Sequence, residues 1–159
     1  MKSELGSIEI RAAAEGDVKA IYELLADYAL KQIVLPRTEA DIRYYLGNFT
    51  VCLKDGKLIG CMAVRDFGNQ LFEVRSLVIC PDFQGLGIGT KLVAGAIANL
   101  KKRFDSFRLF ALTYRSHFFI NSGFEKVEKE LFPEKIWSDC MLCPKRDNCD
   151  EEAVLYTVN

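Results

Sequence analysis

The sequence predicts one mixed α/β domain, a central sheet carrying helices on both faces. Three observations carry this reading. Apolar runs with strand and helix periods interleave in the order β-α-α-β-β-β-α-β-α-β-β, which a single sheet with covering helices satisfies. The chain has 159 residues, 50% of them apolar, enough to build one compact domain with a core. The stretch from Glu73 to Leu100 reads as a strand, a glycine-rich turn and an amphipathic helix, and the other elements are arranged around it. Residues 1–159 are therefore read as a single domain, with no internal repeat, low-complexity run or linker.

In order along the chain, Ile8 and Ile10 alternate with polar neighbours as a first strand. Ala14-Glu15-Gly16-Asp17 marks a helix start with Asp17 as N-cap, and Val18, Ile21, Leu24, Leu25 and Tyr28 recur at helical spacing. Val34-Leu35-Pro36-Arg37 ends that helix. Thr38 caps a second one, with Asp41 in the capping-box position and Ile42, Tyr45 and Leu46 as its buried face. Phe49–Leu53 and Leu58–Val64 form a hairpin about Asp55-Gly56, and Gly68-Asn69 turns the chain into the central strand, Glu73–Cys80. Pro81 ends that strand because it has no N–H for a sheet ladder. Ile88, Leu92, Val93, Ala96, Ile97 and Leu100 then share one helical face. Phe107–Leu112 is a strand and Ser116–Asn121 a short helix ended by Gly123. Phe124–Lys129 is a strand, residues 131–150 are irregular, and Ala153–Val158 is the last strand.

Bulk properties exclude several classes. A formal net charge of −1 argues against broad nucleic-acid or membrane-surface binding, which needs a basic excess. The N-terminus has no hydrophobic signal core and no apolar run approaches a membrane span, so a soluble cytoplasmic protein is expected. Its six cysteines are then reduced thiols or metal ligands rather than disulfides.

The glycine-rich turn has the chemistry of a phosphate site. The first N–H groups of the following helix and the positive end of its dipole face an anion, and glycines let the backbone come close. Gln84-x-x-Gly87-x-Gly89, preceded by Leu77-Val78-Ile79-x-Pro81 and followed by Ser122-Gly123-Phe124, resembles the GCN5-related N-acetyltransferases (GNAT). Their phosphate loop reads Arg/Gln-x-x-Gly-x-Gly/Ala at this junction. The resemblance covers roughly residues 8 to 130. It implies the GNAT fold, with a mixed, mostly antiparallel sheet, and acetyl-CoA as donor. Backbone groups of Leu77, Val78 and Ile79 would hold the pantetheine arm and thioester. Gln84, Gly85, Leu86, Gly87, Ile88, Gly89 and Thr90 would hold the pyrophosphate.

Leu35-Pro36-Arg37-Thr38, Glu73-Val74-Arg75-Ser76-Leu77, Phe110-Ala111-Leu112-Thr113-Tyr114 and Lys135-Ile136-Trp137-x-x-Cys140-x-x-Cys143-Pro144 resemble the short, single-domain N-acetylglutamate synthases. That resemblance implies transfer of acetyl to the α-amine of L-glutamate, the first step of arginine biosynthesis. Arginine feedback through an amino-acid-kinase-like domain is not expected, because the chain lacks one.

Glutamate brings two carboxylates, which guanidinium groups bind bidentately, and an ammonium that must lose its proton. Arg37 is a loop arginine by composition alone; by resemblance it holds a substrate carboxylate. Glu73 and Arg75 lie two apart on one strand and share a face. They read either as a structural ion pair or as general base (Glu73, through a water) and substrate-orienting group (Arg75). Many relatives protonate the leaving thiolate with a Tyr where this chain has Phe119, so Thr113 and Tyr114 are the candidate acids. His117, the single histidine, is read as a packing residue at a helix start.

Cys140-x-x-Cys143 and Cys149 offer three thiols where structural zinc normally takes four ligands, so reduced structural thiols or a redox-sensitive pair are the favoured readings and metal the lesser one. Lys135, Trp137, Lys145 and Arg146 of the same segment would reach the acceptor pocket as a lid, with Lys135 a substrate contact. The competing readings are another amine acceptor on the same fold (an amino acid, a protein N-terminus or a small molecule) and a non-catalytic acyl-CoA sensor. A homodimer is expected from the family.

Overall fold

The computed structural model describes residues 8–30, 37–131 and 151–159. Its strands are β1 (Ile8–Ala12), β2 (Phe49–Lys54), β3 (Lys57–Asp66), β4 (Leu71–Ile79), β5 (Phe107–Thr113), β6 (Glu125–Val127) and β7 (Glu152–Val158). Its helices are α1 (Val18–Leu30), α2 (Glu39–Tyr44), α3 (Ile88–Arg103) and α4 (Ser116–Ile120), with short 3-10 turns at Glu15–Asp17, Leu46–Asn48, Pro81–Phe83 and Lys129–Leu131. The seven strands follow the order β1-β2-β3-β4-β5-β7-β6. Neighbours β1–β2, β2–β3, β5–β7 and β6–β7 are antiparallel, and β4–β5 is parallel. This is the mixed, mostly antiparallel α/β sheet that the sequence predicts.

Packing divides the described residues into two compact units. The first comprises the described residues up to Val64 together with Ser76–Gly95. Its core joins Val18, Ile21, Leu25 and Tyr28 of α1 and Ile42 of α2 to Phe49, Val51, Leu53, Cys61, Ala63 and Val78 of the strands. The β2–β3 hairpin closes through Asp55 (φ 52°) and Gly56 (φ 80°), the two left-handed residues that a type I′ turn demands. Thr38 caps α2 as expected, its hydroxyl accepting from the Asp41 N–H at 3.0 Å.

Two expectations in this unit need correcting. Asp17 does not cap α1. The chain enters the helix one 3-10 turn earlier, and the Asp17 carboxylate reaches back to the Ala14 N–H at 2.7 Å while accepting from Arg11 Nη1 at 2.7 Å. The Arg11 guanidinium holds the Asp17 carboxyl below its ordinary value. Tyr45 is not on a buried face: α2 ends at Tyr44, Tyr45 leaves the helical dihedrals (φ −101°, ψ 20°), and its side chain is exposed.

The second unit comprises Arg65–Arg75 and the described residues from Ala96 onward. Leu71, Phe110 and Ala153 form its fully buried centre, with Phe67, Leu112, Val127 and Leu155 against them. Aromatic rings extend it, Phe72 on Phe104 at 5.3 Å and Phe119 on Phe124 at 5.1 Å, with Phe124 in turn 5.5 Å from Tyr156. β6 is shorter than the predicted Phe124–Lys129, because Phe124 turns into this cluster and Lys129 opens a 3-10 turn.

Gly60 on β3 lets the end of β4 pack closely. A Cβ there would lie 2.6 Å from Ile79 Cδ1 and 3.1 Å from the Val78 carbonyl oxygen. The side chain can swing away, but the backbone oxygen must shift. Gly60→Ala is expected to lower unfolding free energy by roughly 1–3 kcal/mol, as overpacking does; urea denaturation measures it, and an unchanged midpoint would show that the β4 end yields freely.

Candidate functional site

Gly85 (φ 79°) and Gly87 (φ 84°) take left-handed dihedrals, which makes the tight turn between the Pro81–Phe83 segment and α3 possible. No protein atom lies within 4 Å of the Cβ position at either glycine, so the loop faces open space. Lys91 N–H donates to the Gly87 carbonyl at 3.1 Å, the first turn of α3. The amides that precede it have no intrahelical acceptor, and the sixteen-residue helix behind them supplies an aligned dipole. Ile88, Leu92, Val93, Ala96 and Leu100 anchor the helix by their buried face.

Gln84, expected among the donor contacts, has its side chain engaged by the protein. Its Nε2 donates to the Ile79 carbonyl at 2.9 Å and to the Tyr28 hydroxyl at 3.0 Å, and Tyr28 itself donates to the same Ile79 carbonyl at 3.0 Å. The loop is thereby fixed to the end of β4 and to α1. Tyr28 was legible in the sequence only as one apolar position of an amphipathic helix; nothing there marks its hydroxyl. The Ile79 carbonyl is thus occupied by two donors of the protein itself.

Arg37 sits in the same unit in a built niche. Its side chain is only 6% exposed. Nε donates to Asp41 Oδ2 at 2.6 Å, Nη1 donates to Ser76 Oγ at 3.3 Å, and the guanidinium lies 5.0 Å from the Phe49 ring centroid and 5.8 Å from that of Tyr45. Nη2 donates no hydrogen bond among the described residues. Asp41 could have been found from its i+4 spacing. Ser76 could not, because its distinguishing feature is a left-handed φ of 55° within β4, where the alternation predicted for Glu73–Cys80 is interrupted. The Ser76 carbonyl accepts from the Cys61 thiol at 3.4 Å. Burial pushes that thiol up to about 12, so it stays protonated and can donate.

Glu73 and Arg75 belong to the second unit. Glu73 is 2% exposed, and Arg75 Nη1 lies 3.7 Å from Glu73 Oε1, so the two share a face as expected. Thr113 ends β5, its hydroxyl accepting from the Arg115 N–H at 2.8 Å ahead of α4; Tyr114 beside it is exposed. Phe119 is buried between Phe118 and Phe124. His117, expected to pack, is exposed instead, because the α4 face that turns inward is the one carrying Phe119. Ser116 Oγ donates to Glu152, which also pairs with Lys126; these two partners hold the Glu152 carboxyl below its ordinary value. Lys135, Trp137, Cys140, Cys143, Lys145, Arg146 and Cys149 lie outside the described residues. Among the described residues no cluster of His, Cys, Asp or Glu could hold a metal ion, and no helix is long and apolar enough to cross a membrane.

Comparison with known proteins places this geometry. The family model described as an acetyltransferase (GNAT) domain matches residues 46–126. An uncharacterized N-acetyltransferase of Chlorobaculum tepidum is 39% identical over 149 residues, covering 94% of this chain and 96% of that protein. The amino-acid acetyltransferase of Aeromonas salmonicida is 32% identical over 127 residues, and this chain spans only 28% of its length. Among solved structures, N-acetylglutamate synthase from Neisseria gonorrhoeae complexed with coenzyme A and N-acetyl-glutamate is similar with a TM-score of 0.83 at 25% identity, over 96% of this chain and 35% of that one. Rv2747 from Mycobacterium tuberculosis, in a complex with CoA, is similar with a TM-score of 0.80 at 26% identity, over 95% of this chain and 99% of that one.

Two measurements probe the site's supports. Tyr28→Phe removes the hydroxyl shared by Gln84 and Ile79 and should cost about 1–3 kcal/mol. Hydrogen exchange of the 85–90 amides should quicken more than that of the α3 interior, and uniform protection would deny Tyr28 its hold on the loop. For Cys61, burial raises the folded value above the ordinary 9.0. Its contribution to stability is therefore complete below about pH 9 and is lost as pH rises from there toward 12. Cys61→Ser keeps a donor and removes the titration, so its melting temperature should fall less steeply between pH 9 and pH 10.5. Parallel curves would contradict the burial argument.

Proposed function

We propose an acceptor on the premise that the chain belongs to the GNAT family of N-acetyltransferases. Acetyl-CoA is the donor, and the acceptor is the α-amine of L-glutamate, which makes the protein an N-acetylglutamate synthase, a cytoplasmic enzyme of arginine biosynthesis. The observation that carries the acceptor is Arg37: a guanidinium 6% exposed, held by Asp41 and Ser76, with its Nη2 edge left for a carboxylate. Gonococcal N-acetylglutamate synthase, whose complex contains N-acetyl-glutamate, supports it by similarity.

The donor's pyrophosphate takes the loop from Gly85 through Gly87 to Thr90, where Leu86, Ile88 and Gly89 contribute backbone amides to an aligned dipole. Backbone groups of Leu77, Val78 and Ile79 line the acyl end, Ile79 through its N–H rather than its occupied carbonyl. Glu73 takes the proton from the α-ammonium through a water. The amine nitrogen then attacks the thioester carbonyl carbon. Charge collects on the carbonyl oxygen, where strand amides stabilise it, and the C–S bond breaks to release the CoA thiolate. Arg75 orients the acceptor beside Glu73, Lys135 adds a second carboxylate contact, and Thr113 or Tyr114 supplies the proton to the thiolate. Residues 1–159 act as one catalytic domain with an insertion at about 131–150.

CoA release measured over a panel of amines tests the acceptor. Glutamate-dependent turnover is expected; turnover with other amines alone would move the protein to a different acetyltransferase activity, and binding of acetyl-CoA without turnover to a sensor. Glu73→Gln should lower kcat by about 10²–10⁴-fold at neutral pH and less at high pH, where the amine deprotonates unaided. A wild-type pH profile in that variant removes Glu73 as the base.

A further inference from the structure

Four non-glycine residues have positive φ among the described residues: Asp55, Asn69, Gln70 and Ser76. Three lie in turns between strands. Ser76 alone lies inside a strand, between Arg75 and Leu77 of β4. An L-residue held in this conformation costs about 1–3 kcal/mol and persists where the surroundings determine it, commonly at functional positions. Two contacts do so here. The Cys61 thiol donates to the Ser76 carbonyl at 3.4 Å, and Arg37 Nη1 donates to Ser76 Oγ at 3.3 Å. Because the hydroxyl accepts from a cation, its own proton remains to be donated, and among the described residues it has no acceptor.

The geometry points to Ser76 as a second contact for the acceptor's carboxylate: its O–H donates to the same carboxylate that the Nη edge of Arg37 holds. This rests on the reading of Arg37 as a carboxylate-binding residue. A guanidinium and a hydroxyl bonded to each other present N–H and O–H donors side by side, and a carboxylate, with two oxygens and acceptor sites only, can take both. Asp41 and the Phe49 ring fix the far side of the guanidinium, so the fork cannot turn away. Ser76 is also the residue before Leu77, so the hydroxyl ties acceptor placement to the strand segment assigned to the thioester. The left-handed dihedral turns the hydroxyl toward Arg37 while the strand continues.

Steady-state kinetics with L-glutamate and acetyl-CoA test this on Ser76→Ala, Ser76→Gly and Arg37→Ala. Ser76→Gly removes the hydroxyl and also the backbone strain, so relief of strain offsets the lost Arg37 hydrogen bond, its melting temperature should stay near that of the parent, and misfolding then does not explain a loss. Both Ser76 variants should raise the KM for glutamate roughly ten- to a hundredfold, the range for one hydrogen bond to a charged group, with the KM for acetyl-CoA within about twofold of the parent. Arg37→Ala should raise the glutamate KM at least as far. If Arg37→Ala does so and Ser76→Gly leaves that KM unchanged, the Ser76 contact is overturned and the Arg37 reading stands. If Arg37→Ala leaves it unchanged, the carboxylate site itself falls. An equal rise in both KM values would assign Ser76 to strand shape alone and also overturn the proposal.

Discussion

The candidate acceptor site depends on one electrostatic constraint, the burial of the Arg37 guanidinium. A cation at 6% exposure has lost most of its hydration, and only good pairing offsets a penalty of several kcal/mol. The chain supplies that pairing unevenly. Asp41 neutralises the Nε side, Phe49 and Tyr45 cover the faces with ring electrons, and Ser76 takes one N–H of Nη1. The compensation stops short of Nη2 among the described residues, so the niche stabilises the charge without saturating it. A purely structural arginine in so buried a place would gain by closing that edge with a second carboxylate. Leaving it is consistent with a ligand that brings its own negative charge.

The donor side obeys a different constraint, that of keeping a glycine loop in one shape without filling it. Left-handed glycines turn the chain but add conformational entropy to the unfolded state and no packing to the folded one. The restraint comes from outside the loop: Gln84 and Tyr28 both end on the Ile79 carbonyl, so α1, the end of β4 and the loop share one acceptor. This also divides the labour within the motif. Its first residue acts by its side chain on the protein, and the glycines that follow leave open space above the loop. Preorganising donors in this way removes reorganisation from the moment of binding, which is the source of electrostatic advantage in such sites.

The fold was largely legible because it rests on periodicity. The strand and helix patterns, the Asp55-Gly56 turn and the Thr38 cap each have a local cause, and each stands where expected. The helix face from Ile88 to Leu100 was readable for the same reason, with Ile97 half-buried at its margin. Local rules failed where a tertiary partner decides. Asp17 looks like a cap until Arg11 claims its carboxylate, and Tyr45 looks buried until the helix stops before it. Glu73 and Arg75 could be picked out as charges sharing a face of an apolar strand, Arg37 by resemblance alone, and the glycine loop by its spacing. Tyr28, Cys61 and Ser76 could not. Their contribution lies in a hydroxyl, a thiol and a dihedral angle whose partners are 51, 15 and 39 residues away in sequence.

Phe119, at the position where the resemblance would place a proton-donating tyrosine, can be understood in the same physical terms. The ring is buried among Phe118 and Phe124, and a hydroxyl added there would need a partner or cost about 1–3 kcal/mol for its desolvation. The two proton transfers of acetyl transfer are not equally demanding. Until the α-ammonium loses its proton, nitrogen has no lone pair with which to attack, so a base is required near neutral pH. The departing thiolate is the conjugate base of a thiol, a far stronger acid than an aliphatic hydroxyl, and so is stable enough to leave first and be protonated afterwards. An acid there adds rate without being indispensable. If Glu73 is the base, as proposed, giving the position of Phe119 to packing agrees with that demand, because stringency falls on the step that generates the nucleophile. The proposed acids stand at the end of β5, where the Thr113 hydroxyl accepts the Arg115 N–H and Tyr114 lies exposed beside it.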